Sequence, residues 1–400
     1  MKSLQLLYIF GLSILVSCTT QKKSGTPYQL SQQEVNKNFE NAAAQYKVMI
    51  NNLPAGRFPK TYDSASGKLV TSGSDWWCSG FYPGTLLYLY EQLHDKTLYN
   101  EAQRMLGLLQ KEQFNKGTHD LGFMMYCSFG NAYRITHDEH DKEILIQSAR
   151  SLSTRFNPKV GCIKSWDSRP SDFLVIIDNM MNLELLFWAT KLTGDSSFYH
   201  IATTHANTTI KNHFRKDYSS YHVVNYDPET GSVKQRRTAQ GAADESAWAR
   251  GQAWGLYGFT VCYRETKDTR YLDQARHIAQ FILSNPTLPA DKIPYWDYNA
   301  PGIPNALRDA SAASIMASAF LELSQYVKSS EARDYTNVAK IILQQLSSDR
   351  YKAATGSNGG FILKHSVGNM PQKSEVDVPL TYADYYYIEA LKRFKESGIK

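Results

Sequence analysis

The chain has 400 residues. At a typical domain length of about 150 residues it would form two or three domains, although barrels and helical toroids form single domains that are longer. Hydrophobic residues make up 42% and charged residues 20%, a balance that excludes a disordered polymer and suits a large buried core. The net charge of +6 is small for this length and no run of lysine and arginine occurs, so nucleic acid is not expected as a partner.

The N-terminus has the form of a bacterial lipoprotein signal peptide over residues 1–17. An apolar stretch, residues 4–16, follows a basic start and is too short to span a bilayer comfortably. It leads into LVSC at 15–18, which resembles a lipobox, so we expect cleavage before Cys18 and lipid on that thiol. Residues 18–30 would be the lipidated cysteine and a polar tether, which predicts a cell-envelope protein that faces the periplasm and contacts the membrane only through this anchor. A plain signal peptide with an incidental cysteine is the alternative.

Twelve segments of helical character alternate along the rest of the chain. Six are apolar nearly all round, which predicts inner helices at 80–93, 121–136, 178–193, 249–266, 309–327 and 382–394. Six are amphipathic, which predicts outer helices at 32–52, 98–114, 141–156, 197–214, 270–284 and 331–348. Six such hairpins predict an all-α fold, an (α/α)6 barrel formed as one domain by residues 31–400, with an open helical solenoid as the alternative. Residues 221–226 indicate one small β-hairpin.

Acidic, aromatic and amide residues gather where the chain enters the inner helices, at the turns that would line the mouth of a barrel. They are Asp75-Trp76-Trp77, His119-Asp120, Asp178-Asn179, the stretch 240–254 with Gln240, Arg250 and Trp254, Arg308-Asp309, and Tyr382 with Asp384. A carboxylate at a helix start can simply cap the helix, so none of these is informative alone. Their recurrence at six entrances indicates a binding site.

Asp178 is the strongest candidate for chemistry. Apolar residues 173–177 precede it, so burial should raise its pKa and make it a usable general acid near neutral pH. A second carboxyl group nearby, such as that of Asp120, would raise one of the two pKa values further. Two carboxyl groups among tryptophan, histidine and arginine are typical of glycoside chemistry. A helix cap is the alternative role for Asp178.

Neither a cofactor nor a metal site is predicted. No motif for a nucleotide, a phosphate group or a catalytic serine occurs in the sequence. Residues 137–141 (HDEHD) have the composition of a metal cluster, but they are too close in sequence to converge easily on one ion, and we interpret them as a polar turn.

An ordered set of short motifs resembles the unsaturated glucuronyl hydrolases, glycoside hydrolase family 88. The matching pieces are Trp77 with 80–84, 119–123 (HDLGF), 178–183 (DNMMNL), 205–209 (HANTT), 221–222 (YH), 248–254 (WARGQAW), 309–312 (DASA), 365–368 (HSVG) and 376–386. Together they span residues 76–392 in the right order. No single piece is decisive, whereas the ordered set is specific.

The resemblance implies an (α/α)6 barrel that removes a 4,5-unsaturated uronic acid from the non-reducing end of oligosaccharides made by glycosaminoglycan lyases. Asp178 matches the general acid that protonates C4, and Asp120 matches the second carboxylate. The other matching positions are implied to bind substrate. Trp77 and Trp254 would stack on rings, and His119, His222, Gln240 and Arg250 would hold the uronate and its hydroxyls. Ser366 with Lys364 and Lys373 would lie near the next sugar and its sulfate, with surface charges as the alternative role of the two lysines. No cofactor is implied.

Three other functions stay open at the level of sequence. A hydrolase of unsaturated rhamnogalacturonyl products would share the fold and chemistry but act on pectin. An epimerase or lyase on the same toroid would use His119 and His222 as an acid–base pair. A lipid-anchored glycan-binding protein would keep the tryptophans without needing Asp178. The parent glycan and its sulfation are not fixed by the sequence.

Overall fold

The structure is a computed structural model that describes residues 30–398. The predicted signal peptide, Cys18 and nearly all of the polar tether therefore lie outside the described residues. Within the described part, no helix combines the length and the apolar character that crossing a membrane requires.

Helices account for the two layers of the molecule. In chain order they are α1 (Gln32–Asn52), α2 (Phe81–Leu93), α3 (Lys96–Leu109), α4 (Asn131–Thr136), α5 (Glu139–Ser153), α6 (Leu183–Thr193), α7 (Ser196–His213), α8 (Ala249–Thr266), α9 (Thr269–Ser284), α10 (Ala310–Leu323), α11 (Ser329–Leu346) and α12 (Thr381–Glu396). Odd-numbered helices are outer and even-numbered helices are inner. A π-helix (Gly122–Gly130) runs directly into α4, and a 3-10 turn (Ile177–Asn182) runs directly into α6.

The burial of each layer follows from its sequence. On α9, buried residues recur on one face, as at Tyr271, Ala275, Ile278 and Ile282. Every residue of α10 is buried, because small side chains such as alanine and serine let neighbouring helices approach it on all sides. The alternating pattern predicted from the sequence is confirmed.

The six inner helices close into a ring. Helix α12 packs against α10 on one side and against α2, the first inner helix, on the other. Contact between the first and the last inner helix excludes the open solenoid and confirms the (α/α)6 barrel. Aromatic side chains from three inner helices meet in the core: the Tyr386 ring lies 5.8 Å from that of Phe81 and 5.4 Å from that of Trp254.

Short strands lie in the connections between the helices. They are β1 (Phe58–Asp63), β2 (Lys68–Ser72), β3 (Phe156–Asn157), β4 (Cys162–Ile163), β5 (Phe173–Ile176), β6 (Val223–Tyr226), β7 (Val233–Arg237), β8 (Ser366–Asn369) and β9 (Ser374–Val378). All pairings are antiparallel: β1 with β2, β3 with β4, β8 with β9, and β5-β6-β7 as a three-stranded sheet. The predicted hairpin near 221–226 is β6 with β7, two of the three strands of that larger sheet.

The His-Asp turns between inner and outer helices are structural. His137 ends α4 in a left-handed conformation, and the Asp138 side chain caps α5 by accepting the N–H of His140. The same Asp cap begins α3 at Asp95. Among the described residues, no group of three or more histidine, cysteine, aspartate or glutamate side chains is arranged to hold a metal ion.

Gly80, at the start of α2, is required by close packing on the π-helix. A Cβ at Gly80 would lie 2.1 Å from the carbonyl oxygen of Met124 and 2.4 Å from that of Phe123. We expect Gly80→Ala to lower the free energy of unfolding by about 1–3 kcal/mol, because the backbone must move to admit the methyl group.

Gly107 of α3 is the control position, since a Cβ there would have no neighbour within 4 Å. Gly107→Ala should therefore be neutral or stabilise by up to about 1 kcal/mol. Urea unfolding of both variants checks the pair, and equal losses would contradict the packing argument.

Candidate active site

A cavity of about 230 Å³ opens at the end of the barrel where the inner helices begin. Strand hairpins and loop residues form its outer wall, and the starts of the inner helices form its floor. It is lined by Lys60, Trp76, Trp77, His119, Asp120, Trp166, Ile176, Asp178, Gln240, Arg250, Asn369, Gln372, Ser374, Glu375 and Tyr382.

Asp178 lies on the floor of this cavity, in the 3-10 turn that joins β5 to α6. The residue is only 9% exposed, and its Oδ2 atom has no hydrogen-bond partner among the described residues. Burial raises the pKa of Asp178 to about 7; the Arg250 charge acts against that rise and the Asp120 carboxylate adds to it. A carboxyl group with a pKa near 7 can both give and take a proton at neutral pH.

Asp120 and His119 lie at the start of the π-helix. The Thr118 hydroxyl donates to Asp120 Oδ2 at 3.0 Å, and His119 Nε2 is 3.4 Å from Asp120 Oδ1. Burial lowers the pKa of His119, so its imidazole is neutral at pH 7. The N–H of Phe123 donates to Asn182 Oδ1 at 2.9 Å, which ties the segment that carries Asp120 to the turn that carries Asp178.

His222 lies beside Asp178 and is not part of the cavity lining. Its Nδ1 atom accepts the N–H groups of Ala239 and Gln240 at 3.1 and 3.2 Å, so a neutral ring carries its proton on Nε2. That Nε2 atom lies 3.8 Å from Asp178 Oδ2. Burial, with the charge of Arg250, lowers the pKa of His222 well below its usual range. His222 is therefore a neutral N–H group directed at the Asp178 carboxyl.

Arg250 is buried at the start of α8 and organises the wall of the cavity. Its guanidinium donates to Asp309 Oδ2 at 3.2 Å, to the Gly368 carbonyl at 2.7 Å and to the Val367 carbonyl. These bonds fix the β8–β9 hairpin on the barrel. The positive charge still faces the cavity, and it is one of the forces that hold down the pKa of Asp178.

Aromatic rings form one side of the cavity. Trp77 is half-buried and packs on Tyr382, with ring centroids 4.8 Å apart. Trp76 beside it is 42% exposed, which is unusual for so large a ring. Flat, partly open rings of this kind suit the apolar faces of sugars.

The structure brings together six of the nine residues predicted for the site. Those six line the cavity: Asp178, Asp120, Trp77, His119, Gln240 and Arg250. His222 touches Asp178 but is not part of the lining.

Trp254 and Ser366 lie deeper than predicted, each with no exposed surface. Trp254 is enclosed by Phe123 and Tyr386, at ring distances of 5.0 and 5.4 Å. The prediction that Trp254 stacks on a sugar is therefore wrong for this structure, because neither ring face is open. Ser366 is covered in the same way on β8, so direct contact between its side chain and a sugar does not fit either.

Sequence reasoning missed the part of the lining that comes from β1 and the β8–β9 hairpin. Lys60 lies on β1, and Asn369, Gln372, Ser374 and Glu375 lie on or between β8 and β9. Lys364 and Lys373, which were expected near the next sugar, are not part of the lining. The ammonium of Lys364 instead donates to the Asp349 carbonyl at 2.8 Å.

Trp254 affects Asp178 in another way. Burial raises the pKa of Asp178, and the indole N–H of Trp254 acts against that rise, although it forms no full hydrogen bond. Replacing Trp254 by phenylalanine keeps an aromatic ring and removes this N–H. We expect Trp254→Phe to raise the pKa of Asp178 and to move the alkaline limb of the pH–rate profile to higher pH. An unmoved limb would contradict an interaction between the indole and the carboxyl.

The fold and the cavity define a class of protein. An (α/α)6 barrel with two carboxyl groups, one of them with a pKa near neutrality, among tryptophan rings is the arrangement of a glycoside hydrolase. The family model described as Glycosyl Hydrolase Family 88 matches residues 52–285, and the chain belongs to this family.

Named relatives and solved structures are similar to this chain over more than nine tenths of its length. An unsaturated glucuronyl hydrolase of Formosa agariphila is 42% identical, with 98% of each chain covered. A crystal structure of an unsaturated glucuronyl hydrolase specific for heparin is 50% identical, with a TM-score of 0.89 and coverage of 92% of this chain and 98% of that chain. A variant of the Streptococcus agalactiae enzyme in complex with dGlcA-GalNAc6S is 29% identical, with a TM-score of 0.80 and coverage of 93% and 94%.

Proposed function

We propose that the protein removes the 4,5-unsaturated uronic acid from the non-reducing end of oligosaccharides that lyases release from glycosaminoglycans. The observation that carries this proposal is the Asp178 carboxyl group, whose pKa is about 7. It faces a cavity large enough for a sugar, and the carboxyl group of Asp120 lines the same cavity. The similarity to unsaturated glucuronyl hydrolases supports this substrate over a pectin-derived one.

The reaction is hydration of an enol ether. Protonated Asp178 gives its proton to C4 of the C4=C5 double bond, and positive charge develops at C5 and the ring oxygen. A water molecule adds its oxygen to C5 and returns a proton to the Asp178 carboxylate. The resulting hemiketal opens to a ketone at C5, and the hemiacetal left at C1 releases the next sugar. One water is consumed, and no cofactor is needed.

Neighbouring residues assist without exchanging protons. The Nε2–H group of His222 lies 3.8 Å from Asp178 Oδ2 without a hydrogen bond and places the positive end of its dipole beside the carboxyl group. Arg250 supplies a buried positive charge for the uronate carboxylate, although its hydrogen-bond donors are shared with protein carbonyls. Trp77 offers a ring face, and Gln240 and His119 offer polar atoms to the sugar hydroxyls.

Heparin-type products are the first substrates to test. The solved structure with 50% identity is that of an enzyme specific for heparin, whereas the complex with dGlcA-GalNAc6S is less similar. The unsaturated uronate absorbs in the near ultraviolet, and hydration of the double bond removes that absorbance. We expect loss of absorbance with heparin-derived unsaturated disaccharides, tested beside chondroitin and hyaluronan products. Unchanged absorbance across the panel, with protein shown to be folded by circular dichroism, would contradict the proposal.

We also propose that Cys18 carries lipid and holds the enzyme in the cell envelope, facing the periplasm. The LVSC sequence at 15–18 and the apolar stretch before it support this. Membranes isolated from expressing bacteria should contain the protein, and Cys18→Ser should move it to the soluble fraction. Retention of the Cys18→Ser protein in the membrane fraction would argue against the anchor.

A further inference from the structure

The open end of the cavity carries a charge pair that the mechanism does not use. Lys60 on β1 places its Nζ atom 3.1 Å from Glu375 Oε1 on β9. The same ammonium lies 4.6 Å from the centroid of the Trp76 ring, in cation–π contact. All three residues line the cavity. A lysine on a strand, held between a carboxylate and an indole, has much less freedom than an ordinary surface lysine.

Burial divides the cavity into two ends. Asp178 and Arg250 are 9% and 1% exposed, and they form the closed end. Trp76 is 42% exposed and its neighbours Gln372 and Ser374 are exposed as well, so they form the open end. A terminal sugar whose C4 reaches Asp178 fills the closed end. The second sugar must therefore leave past Lys60, Glu375 and Trp76.

The open end has one ammonium group to offer. Lys60 is the only lysine among the residues that line the cavity. The remaining cation there, Arg250, lies at the closed end, with three of its five N–H donors bonded to Asp309 and two carbonyls. A lysine ammonium has three N–H donors, and Lys60 forms an ion pair with Glu375 in which Glu375 Oε1 accepts no hydrogen bond. At least one donor is therefore available for an anionic group on the second sugar.

We propose that Lys60 binds a sulfate group of the second sugar and that Glu375 limits how many sulfates this sugar carries. The inference rests on the proposed function and names the charge preference of that same cavity. Lys60 pairs with one sulfate by charge-assisted hydrogen bonds, which are the stronger kind. Glu375 holds Lys60 in place and repels further negative charge, so the pair selects a lightly sulfated sugar over a densely sulfated one.

The test compares turnover of two unsaturated disaccharides that differ only by one sulfate on the second sugar. The quantity measured is the ratio of kcat/KM for the sulfated to that for the unsulfated compound. We expect this ratio to fall about tenfold in Lys60→Met and to stay within about threefold in Lys60→Arg, which keeps the charge. Lys68→Met on the neighbouring strand β2, whose side chain is outside the cavity, is the matched control and should leave the ratio unchanged.

Glu375→Gln should move the ratio in the opposite direction, because it removes the negative charge beside the incoming sulfate. Turnover of the unsulfated compound by each variant shows that the protein is folded. An unchanged ratio in Lys60→Met would overturn the role of Lys60, and a ratio that fails to rise in Glu375→Gln would overturn the role of Glu375. Failure of the proposed function looks different, since the unaltered protein would then cleave neither disaccharide.

Discussion

Asp178→Asn should abolish nearly all turnover, with kcat lowered by about 10³-fold, which is within the range for loss of a general acid. Asparagine has the size and shape of aspartate, so the 3-10 turn at 177–182 and the contact with His222 should persist. What the variant lacks is the proton that Asp178, with a pKa raised by burial to about 7, holds ready for C4 of the substrate. Turnover is followed by the near-ultraviolet absorbance of the unsaturated uronate.

The same variant separates an enzyme from a glycan-binding protein. Asp178→Asn should still bind the unsaturated disaccharide, as measured by calorimetry, because Trp76, Trp77 and Arg250 are unchanged. Asp334→Asn changes an exposed aspartate on the outer helix α11 that does not line the cavity; it is the matched control and should retain full activity. Retained turnover in Asp178→Asn would contradict the proposed mechanism, whether or not the variant binds the disaccharide.

The barrel could be predicted from the sequence because its two layers have different helix patterns. An outer helix such as α9 has one apolar face, whereas an inner helix such as α10 is apolar nearly all round, and their alternation counts the hairpins directly. Six helical hairpins are the number that closes into an (α/α)6 barrel, so the count also predicted the closed ring. The π-helix at Gly122–Gly130 could not be foreseen, because its residues have the same apolar character as an α-helix of equal length.

The floor of the site was also predictable, because its residues stand where the chain enters the inner helices. Asp120, Asp178 and Arg250 all fall at such entrances, and all line the cavity. How deeply each side chain is buried below the cavity was harder to predict. Trp254 lies four residues after Arg250, one turn further into the barrel, and that single turn takes its ring out of reach of a substrate.

The outer wall was not predictable, because it depends on contacts between distant parts of the chain. Lys60 and Glu375 are separated by more than three hundred residues, and they meet only because β1 and β9 lie side by side at the mouth. Neither residue belongs to a motif. Lys364 and Lys373 looked better placed in sequence, yet neither lines the cavity: Lys364 precedes β8, and Lys373 lies in the turn between β8 and β9.

Asp120→Asn should lower kcat/KM at pH 7 by roughly 10²-fold, and it should also change the pH dependence. In the unaltered protein the acid form of Asp178 is the donor, so kcat/KM is full below about pH 7 and falls as the pH rises through that value. Burial is the main cause of the raised pKa, and the Asp120 carboxylate raises it further. Removing that charge lowers the pKa of Asp178, so activity should be lost at lower pH.

The pH profile distinguishes this electrostatic role from a loss of substrate contact. A contact alone would lower kcat/KM by the same factor at every pH, with the alkaline limb in its original place. Loss of the charge moves the limb to lower pH, so part of the activity lost at pH 7 returns in more acidic buffer. Trp254→Phe should move the same limb the other way, because it removes a group that lowers the pKa of Asp178. Opposite shifts in these two variants would identify Asp178 as the group that titrates, and shifts of equal sign would refute that assignment.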